Sequence, residues 1–116
     1  MQRVAFQLRI RPDKIEEYEQ AHRNVWPSLI EEMSALGIAE YSIFRQGVRL
    51  FLYLRTADWN RTLRMLKASR INQQWQETMA PLLEPGSGLG SDETLITMQE
   101  IFYMPGLSEQ DHGKNA

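Results

Sequence analysis

A tyrosine and a histidine stand four residues apart in the stretch EYEQAHRNVWPSL, which spans residues 17–29. On a helix this spacing places Tyr18 and His22 on one face. An imidazole titrates near neutral pH, so His22 is a candidate general acid or base. The alternative is a partly buried structural histidine that bonds to Tyr18 or to the backbone, and spacing alone favours it. Pro27 adds weight to the catalytic hypothesis, because a kink after His22 would open space beside the imidazole.

Aromatic residues elsewhere in the chain suggest a ligand for such a site. Tyrosine and tryptophan rings pack against the C–H faces of sugars, and phenol groups bind sugar hydroxyls. The candidates for this role are Tyr18, Tyr41, Trp75 and Tyr103. For each of them taken singly, packing in the core is the favoured explanation, since all occur at helix or strand periodicity. From the residues alone, a carbohydrate pocket stands beside ordinary core packing as a hypothesis.

Composition excludes several other kinds of site. The chain has no cysteine and only two histidines, His22 and His112, which leaves no thiolate site, no disulfide and no histidine-rich metal site. A formal net charge of −2 without blocks of like charge argues against binding to nucleic acid or to a membrane surface. No apolar run approaches the roughly 18 residues of a membrane span. The N-terminus alternates apolar and polar residues where a signal peptide needs an apolar run, so we expect a cytoplasmic protein.

Hydrophobic periodicity predicts the elements that must position these residues, in the order β-α-β-β-α-β. The first strand is indicated by the alternation of residues 4–10 and stops before Pro12. One long helix then begins with a capping box at Asp13 and Glu16 and ends at Gly37. IAEYSIF and VRLFLYLRT form a hairpin around the turn RQG. Asp58 caps a further helical stretch whose apolar stripe changes phase at Ser69, which indicates two consecutive helices. ETLITMQEIFYM forms the last strand.

This order is that of the ferredoxin-like split βαβ fold, an α+β architecture with a four-stranded antiparallel sheet and its helices on one face. A single domain, residues 1–105, contains all the predicted elements, and residues 106–116 form a polar tail that we expect to be disordered. The face of the sheet without helices would carry many aliphatic and aromatic side chains, among them Tyr41, Ile43, Phe51 and Tyr53. Such a surface favours a homodimer formed through the open sheet face.

The stretch EEYEQAHRNVWPSL resembles the first helix of the L-rhamnose mutarotase family, in which a tyrosine precedes a histidine by four residues and Trp-Pro follows. Tyr18, His22, Trp26 and Pro27 match in type and spacing. The resemblance continues through LGIAEYSIF, where Tyr41 falls at a tyrosine position of the family. It extends through INQQWQETM and MQEIFYM, and so covers nearly all of the predicted domain.

The resemblance implies a dimeric α+β barrel of two packed ferredoxin-like sheets that needs no cofactor and no metal. It implies an aldose 1-epimerase that interconverts the α and β anomers of L-rhamnose, a monosaccharide substrate, by acid–base ring opening. By carry-over, His22 is expected to donate a proton to the ring oxygen. Tyr18 and Tyr41 are expected to bind sugar hydroxyls, and Trp75 is expected to pack against the ring or its methyl group.

One departure from the family pattern bears on the choice of sugar. Many members have two adjacent tryptophans where this chain reads Trp75-Gln76. Gln76 replaces an apolar wall by an amide that can bind a hydroxyl, and a buried amide without a partner is unfavourable. A mutarotase of another 6-deoxy sugar, such as L-fucose, is therefore an alternative. Two alternatives of other classes stay open because the topology hosts several activities: a monooxygenase-like dimeric α+β barrel and a non-enzymatic ligand-binding dimer.

Overall fold

The computed structural model describes residues 1–85 and 95–106. Its sheet has three antiparallel strands in the order β1-β3-β2, where β1 is Gln2–Arg9, β2 is Ile38–Gln46 and β3 is Arg49–Thr56. The helices are α1 (Ile15–His22), α2 (Pro27–Ala35), α3 (Trp59–Ala68) and α4 (Arg70–Met79). Within the described ranges, no helix has the length and apolar character needed to cross a membrane. Residues 107–116 of the expected tail lie outside the described residues.

Alternation along β1 and β3 creates the core. Every second residue of these strands is buried, because successive side chains of a strand point to opposite faces of the sheet. The buried side chains pack against the apolar stripes of the four helices in one cluster that includes Phe6, Leu54, Leu29, Leu66 and Met79. The helices therefore cover one face of the sheet, as predicted. The opposite face carries Ala5, Gln7, Phe51 and Tyr53, which pair across β1 and β3.

The predicted long first helix is wrong, because the structure divides it into α1 and α2. Trp26 has φ −55 and ψ 125, an extended conformation, and Pro27 is the first residue of α2. A residue before proline is disfavoured in the helical region, whereas proline suits the first turn of a helix. The capping box is also wrong. Asp13 lies in the short 3-10 helix Pro12–Lys14, and α1 begins at Ile15 without a side-chain cap.

The remaining helix signals and the hairpin are confirmed. Gly37 follows the end of α2 with φ 102, a conformation that favours glycine. β2 and β3 pair as a hairpin whose turn contains Gly47 at φ 59. The Asp58 side chain accepts a hydrogen bond from the backbone N–H of Arg61 at the start of α3. Ser69 ends α3 and caps α4, which explains the change of phase in the apolar stripe.

The four-stranded sheet is not found in the described residues, which contain three strands. The described part of the predicted last strand, residues 95–104, runs beside β1 without forming a continuous ladder. These residues make one isolated bridge, Phe6 with Thr97, and one hydrogen bond of 2.7 Å from the N–H of Met98 to the carbonyl of Ala5. The segment thus lies at the edge that a ferredoxin-like fourth strand occupies, next to β1.

The predicted face of Tyr41 and Ile43 is also wrong. A β-bulge between Ile38 and Glu40 inserts Ala39 as an extra residue in β2. An extra residue reverses the side-chain alternation beyond it. Tyr41 and Ile43 therefore pair with the core residues Leu54 and Leu52 and point toward the helices.

Candidate active site

A groove of about 490 Å³ lies between edge strand β2 and helices α2 and α4, and the end of α1 borders it. Its volume is in the range of small-molecule sites, which is roughly 300–1,000 Å³. Much of its wall is aliphatic, from residues such as Leu29, Met33 and Ile38. The polar side chains of the wall are those of His22, Ser34, Tyr41, Asn72 and Gln76. Glu40 also borders the groove from β2, but its carboxylate bonds Arg55 on the opposite face of the sheet. The groove thus combines an apolar lining with a few convergent polar side chains.

His22 is the last residue of α1 and is held by three aromatic and backbone contacts. Its ring stacks on the Tyr18 ring with centroids 4.2 Å apart, and it meets Trp75 edge-on at 5.3 Å. Its Nδ1 atom lies 2.9 Å from the backbone carbonyl oxygen of Tyr18. A carbonyl only accepts hydrogen bonds, so Nδ1 carries the proton and donates it. Nε2 is then the nitrogen that can exchange a proton with a ligand.

The environment favours the neutral form of this imidazole. Burial lowers the pKa of His22 below its usual 6.5, and the hydrogen bond to the Tyr18 carbonyl offsets part of that effect. At neutral pH the ring is therefore mostly uncharged. With Nδ1–H bound to the backbone, Nε2 presents a lone pair, so the resting state of His22 is a base.

The two tyrosines of the predicted site occupy different positions around His22. Tyr41 projects from β2 into the groove, whereas Tyr18 is buried behind the imidazole and borders an adjoining cavity of about 330 Å³. His22 borders both spaces. Burial raises the pKa of the Tyr18 phenol and of the Tyr41 phenol, and their proximity raises that of Tyr41 further. Both phenols therefore stay protonated and can donate hydrogen bonds.

Trp75 and Gln76 reach the groove from adjacent positions of α4. Trp75 is buried, and its ring meets the Trp26 ring at 5.1 Å and 86°. Trp26, the residue before the first turn of α2, thus supports the indole from behind. Gln76 is half-buried in the groove wall. The structure brings His22, Tyr41, Trp75 and Gln76 together in one groove and places Tyr18 in the layer behind.

Sequence reasoning missed Asn72, which is 2% exposed and lines the same groove. Its Nδ2 donates to the Leu66 carbonyl at 3.0 Å, and its Oδ1 accepts from Nε2 of Gln76 at 3.3 Å. An asparagine on the apolar stripe of a helix, four residues before Gln76, was the available signal. Among the described residues, no group of three histidine, aspartate or glutamate side chains is placed to hold a metal ion. The second histidine, His112, lies outside the described residues.

The family profile and the two relatives described below all point to one family of sugar-converting enzymes. A family profile described as L-rhamnose mutarotase matches residues 3–104. The chain is 35% identical over 106 residues to the L-rhamnose mutarotase of Oceanobacillus iheyensis, covering 90% of this chain and 99% of that protein. It has the same identity and coverage with the L-rhamnose mutarotase of Bacillus subtilis. The match therefore spans nearly the full length of both relatives.

Comparison with solved structures supports the architecture. The crystal structure of an L-rhamnose mutarotase from Formosa agariphila is similar, with a TM-score of 0.73 and 25% sequence identity over 90% of this chain and 100% of that chain. The tetracenomycin F2 cyclase of Streptomyces glaucescens is similar in fold alone, with a TM-score of 0.60 and 15% identity. The structural match with the cyclase covers 91% of this chain and 99% of the cyclase chain.

Proposed function

The chain belongs to the L-rhamnose mutarotase family and is a sugar isomerase that interconverts the α and β anomers of L-rhamnose, and we propose that His22 moves the proton in this reaction. The observation that supports this role is the state of the imidazole. Its Nδ1–H is bound to the Tyr18 carbonyl, and its lowered pKa leaves Nε2 with a lone pair at the groove wall. The identity of the reaction comes from the family, and the roles of the residues are our proposal.

In the proposed reaction, Nε2 of His22 takes the proton of the anomeric hydroxyl. The C1–O5 bond then breaks as the carbonyl forms at C1, and Nε2–H donates the same proton to the ring oxygen. Rotation about the C1–C2 bond exposes the other face of the aldehyde, and the reverse steps close the ring. His22 ends each cycle in its neutral form, so one residue supplies both the base and the acid. General acid–base help of this kind contributes about 10²–10⁴-fold.

The phenols and the α4 side chains are proposed to hold the sugar. Tyr41 would donate a hydrogen bond to a sugar hydroxyl, because its phenol stays protonated and borders the groove. Tyr18 would contact a hydroxyl from the adjoining cavity that it shares with His22. Trp75 would pack against the ring or its methyl group. Gln76, oriented by its bond to Asn72, would bind a further hydroxyl.

Saturation-transfer NMR with L-rhamnose and L-fucose tests the activity and the role of His22 together. We expect exchange between the L-rhamnose anomers, and we expect His22→Ala to reduce it to near the spontaneous rate. Exchange in the variant equal to that of the wild type would refute the role of His22. The L-fucose, monooxygenase-like and purely ligand-binding alternatives are not favoured, because the family match and both relatives are L-rhamnose mutarotases.

We also propose a cytoplasmic homodimer that packs through the open sheet face and so forms an α+β barrel. Phe51 and Tyr53 lie on that face, and Phe44 beside them is 63% exposed. Arg55, on the same face, bonds Glu40 at 3.3 Å and has a buried Nε atom without a hydrogen-bond partner. Apolar groups and an unsatisfied donor on one surface favour its burial against a second copy. Sedimentation analysis of the purified protein tests the stoichiometry.

A further inference from the structure

Asn72 carries a polar amide on the side of α4 that faces the groove. The residue is buried, and it shares that side with Trp75 and Gln76, which follow it by three and four positions. A buried amide is unfavourable unless its polar atoms are hydrogen-bonded. Both polar atoms of the Asn72 side chain have such partners, and the chemistry of these partners determines which way the amide points.

The donor end of this amide is fixed by the last turn of α3. Nδ2 of Asn72 donates a hydrogen bond to the carbonyl oxygen of Leu66 at 3.0 Å. Leu66 lies in the last turn of α3, where carbonyls lack the N–H partner that the helix interior supplies. A carbonyl accepts hydrogen bonds and cannot donate them, so the opposite orientation of the amide would bring two oxygen atoms together. The amide of Asn72 therefore has a single favourable orientation.

The acceptor end of the same amide meets Gln76. Oδ1 of Asn72 accepts a hydrogen bond from Nε2 of Gln76 at 3.3 Å. Gln76 is half-buried in the groove wall, next to Trp75. With its nitrogen directed at Asn72, the Gln76 amide has its oxygen on the other branch of the side chain. An amide oxygen has two lone pairs, so Oε1 of Gln76 has the capacity to accept a proton from a sugar hydroxyl.

We propose that Asn72 is a positioning residue that holds the Gln76 amide with its oxygen toward the sugar, so that the α4 wall of the groove selects for one ring hydroxyl. This inference rests on the proposed function, because it assigns a selectivity to the same groove. Capping the last turn of α3 needs only the amino group of Asn72. Its oxygen adds the link to Gln76, which joins the fixed α3–α4 junction to the groove wall.

Deoxy derivatives of the substrate test this selectivity. We define the selectivity ratio as kcat/KM for L-rhamnose divided by kcat/KM for its 2-deoxy, 3-deoxy or 4-deoxy derivative. Removing a hydroxyl also changes the intrinsic reactivity of the sugar, but that effect cancels when the ratios of two variants are compared. For one derivative, Gln76→Leu should lower the ratio about tenfold relative to the wild type, the effect of one hydrogen bond. Asn72→Ala should lower the ratio for the same derivative, and the double variant should lower it no further than Gln76→Leu alone.

A purely structural role of Asn72 would produce a different pattern. Asn72→Ala would then lower kcat/KM for all the sugars by the same factor and leave every selectivity ratio unchanged, which would overturn the proposal. Ser69→Ala is the matched control, because it weakens the same α3–α4 junction without removing either bond of the Asn72 side chain. It should lower the urea midpoint and keep the wild-type ratios. Unchanged ratios for all three derivatives in Gln76→Leu would also overturn the proposal.

The side-chain amide resonances of Gln76 give a readout that needs neither turnover nor a variant of Asn72. Gln76→Leu assigns these resonances in a proton–nitrogen correlation spectrum of the labelled protein. Saturating L-rhamnose should shift them, and one of the three deoxy derivatives at saturation should shift them much less. No shift with L-rhamnose, or equal shifts with all four sugars, would overturn the proposal. The expected shifts in a protein without anomer exchange would support the roles of Asn72 and Gln76 and contradict the proposed reaction.

Discussion

The neutral state of His22 predicts a defined pH profile for anomer exchange. Burial lowers the pKa of His22 below 6.5, and the proposed reaction begins with the uncharged ring. The value of kcat/KM should therefore be constant above about pH 6.5 and should fall about tenfold per pH unit below the pKa of the free enzyme. If the reaction instead required an imidazolium at the start, kcat/KM would fall as the pH rises.

The size of the His22 effect follows from its contacts. The ring stacks on Tyr18 and meets Trp75, so His22→Ala removes the base and also a side of the groove. Loss of general acid–base help should reduce kcat by about 10²–10⁴-fold. His112→Ala is the matched control, since the chain has only these two histidines. That control should retain the full rate and the same pH profile.

Saturation transfer between the two anomeric proton resonances of L-rhamnose measures the rate at each pH, after subtraction of the enzyme-free exchange. The His22 ring protons titrate in the same samples, and His112→Ala assigns them. The pKa from this titration should equal the pKa from kcat/KM. A rate that rises as the pH falls from about 8 to about 5 would refute the proton shuttle, because it would require a protonated resting state.

Three further outcomes test the site and its supports. Tyr41→Phe keeps the ring but removes the groove-facing hydroxyl, and a lost hydrogen bond of about 1.4 kcal/mol should lower kcat/KM roughly tenfold without changing urea unfolding. Ser69→Ala removes the helix cap whose hydroxyl accepts a hydrogen bond from the N–H of Asn72. The free energy of unfolding measured by urea titration should fall by about 1 kcal/mol, while KM for L-rhamnose stays the same. Because the pKa of His22 is lowered in the folded state, the unfolded chain binds the imidazole proton more tightly. The free energy of unfolding should therefore be highest above about pH 6.5 and should decline as the pH falls toward the folded-state pKa. Urea midpoints measured across this range should show a smaller decline in His22→Ala.

Elements with a local cause were predictable from the sequence. The hairpin was predicted from two alternating runs joined by a glycine turn, and Gly47 occupies that turn with positive φ. Asp58 and Ser69 both cap helices through their own side chains. These interactions join residues that are three apart, so the sequence contains both partners in one short window. The order of elements that indicates the fold class, and the division of the second helical stretch at Ser69, were predicted from such windows.

Predicting the break between α1 and α2 requires a comparison of two local effects. Apolar residues continue at helical spacing through Trp26 and Pro27, which favours one long helix. Steric exclusion of the helical conformation before proline outweighs that pattern, and Trp26 becomes extended. The break ends α1 at His22. The catalytic candidate therefore lies at a helix terminus, where its Nδ1 bonds the Tyr18 carbonyl one turn earlier.

Tyr41 shows which part of the site periodicity alone could not provide. Counting alternate residues from buried Ile38 places Tyr41 on the open face, away from His22, whereas the family resemblance places both in one site. The structure resolves this conflict through one extra residue, Ala39, which reverses the alternation and directs Tyr41 into the groove. A bulge of this kind depends on pairing with β3, so no residue type marks it in advance. The placement of Tyr41 and His22 in one groove is therefore a consequence of strand register. Deletion of Ala39 should accordingly separate the phenol from the imidazole and impair anomer exchange, while a substitution such as Ala39→Ser, which keeps the register, should preserve it.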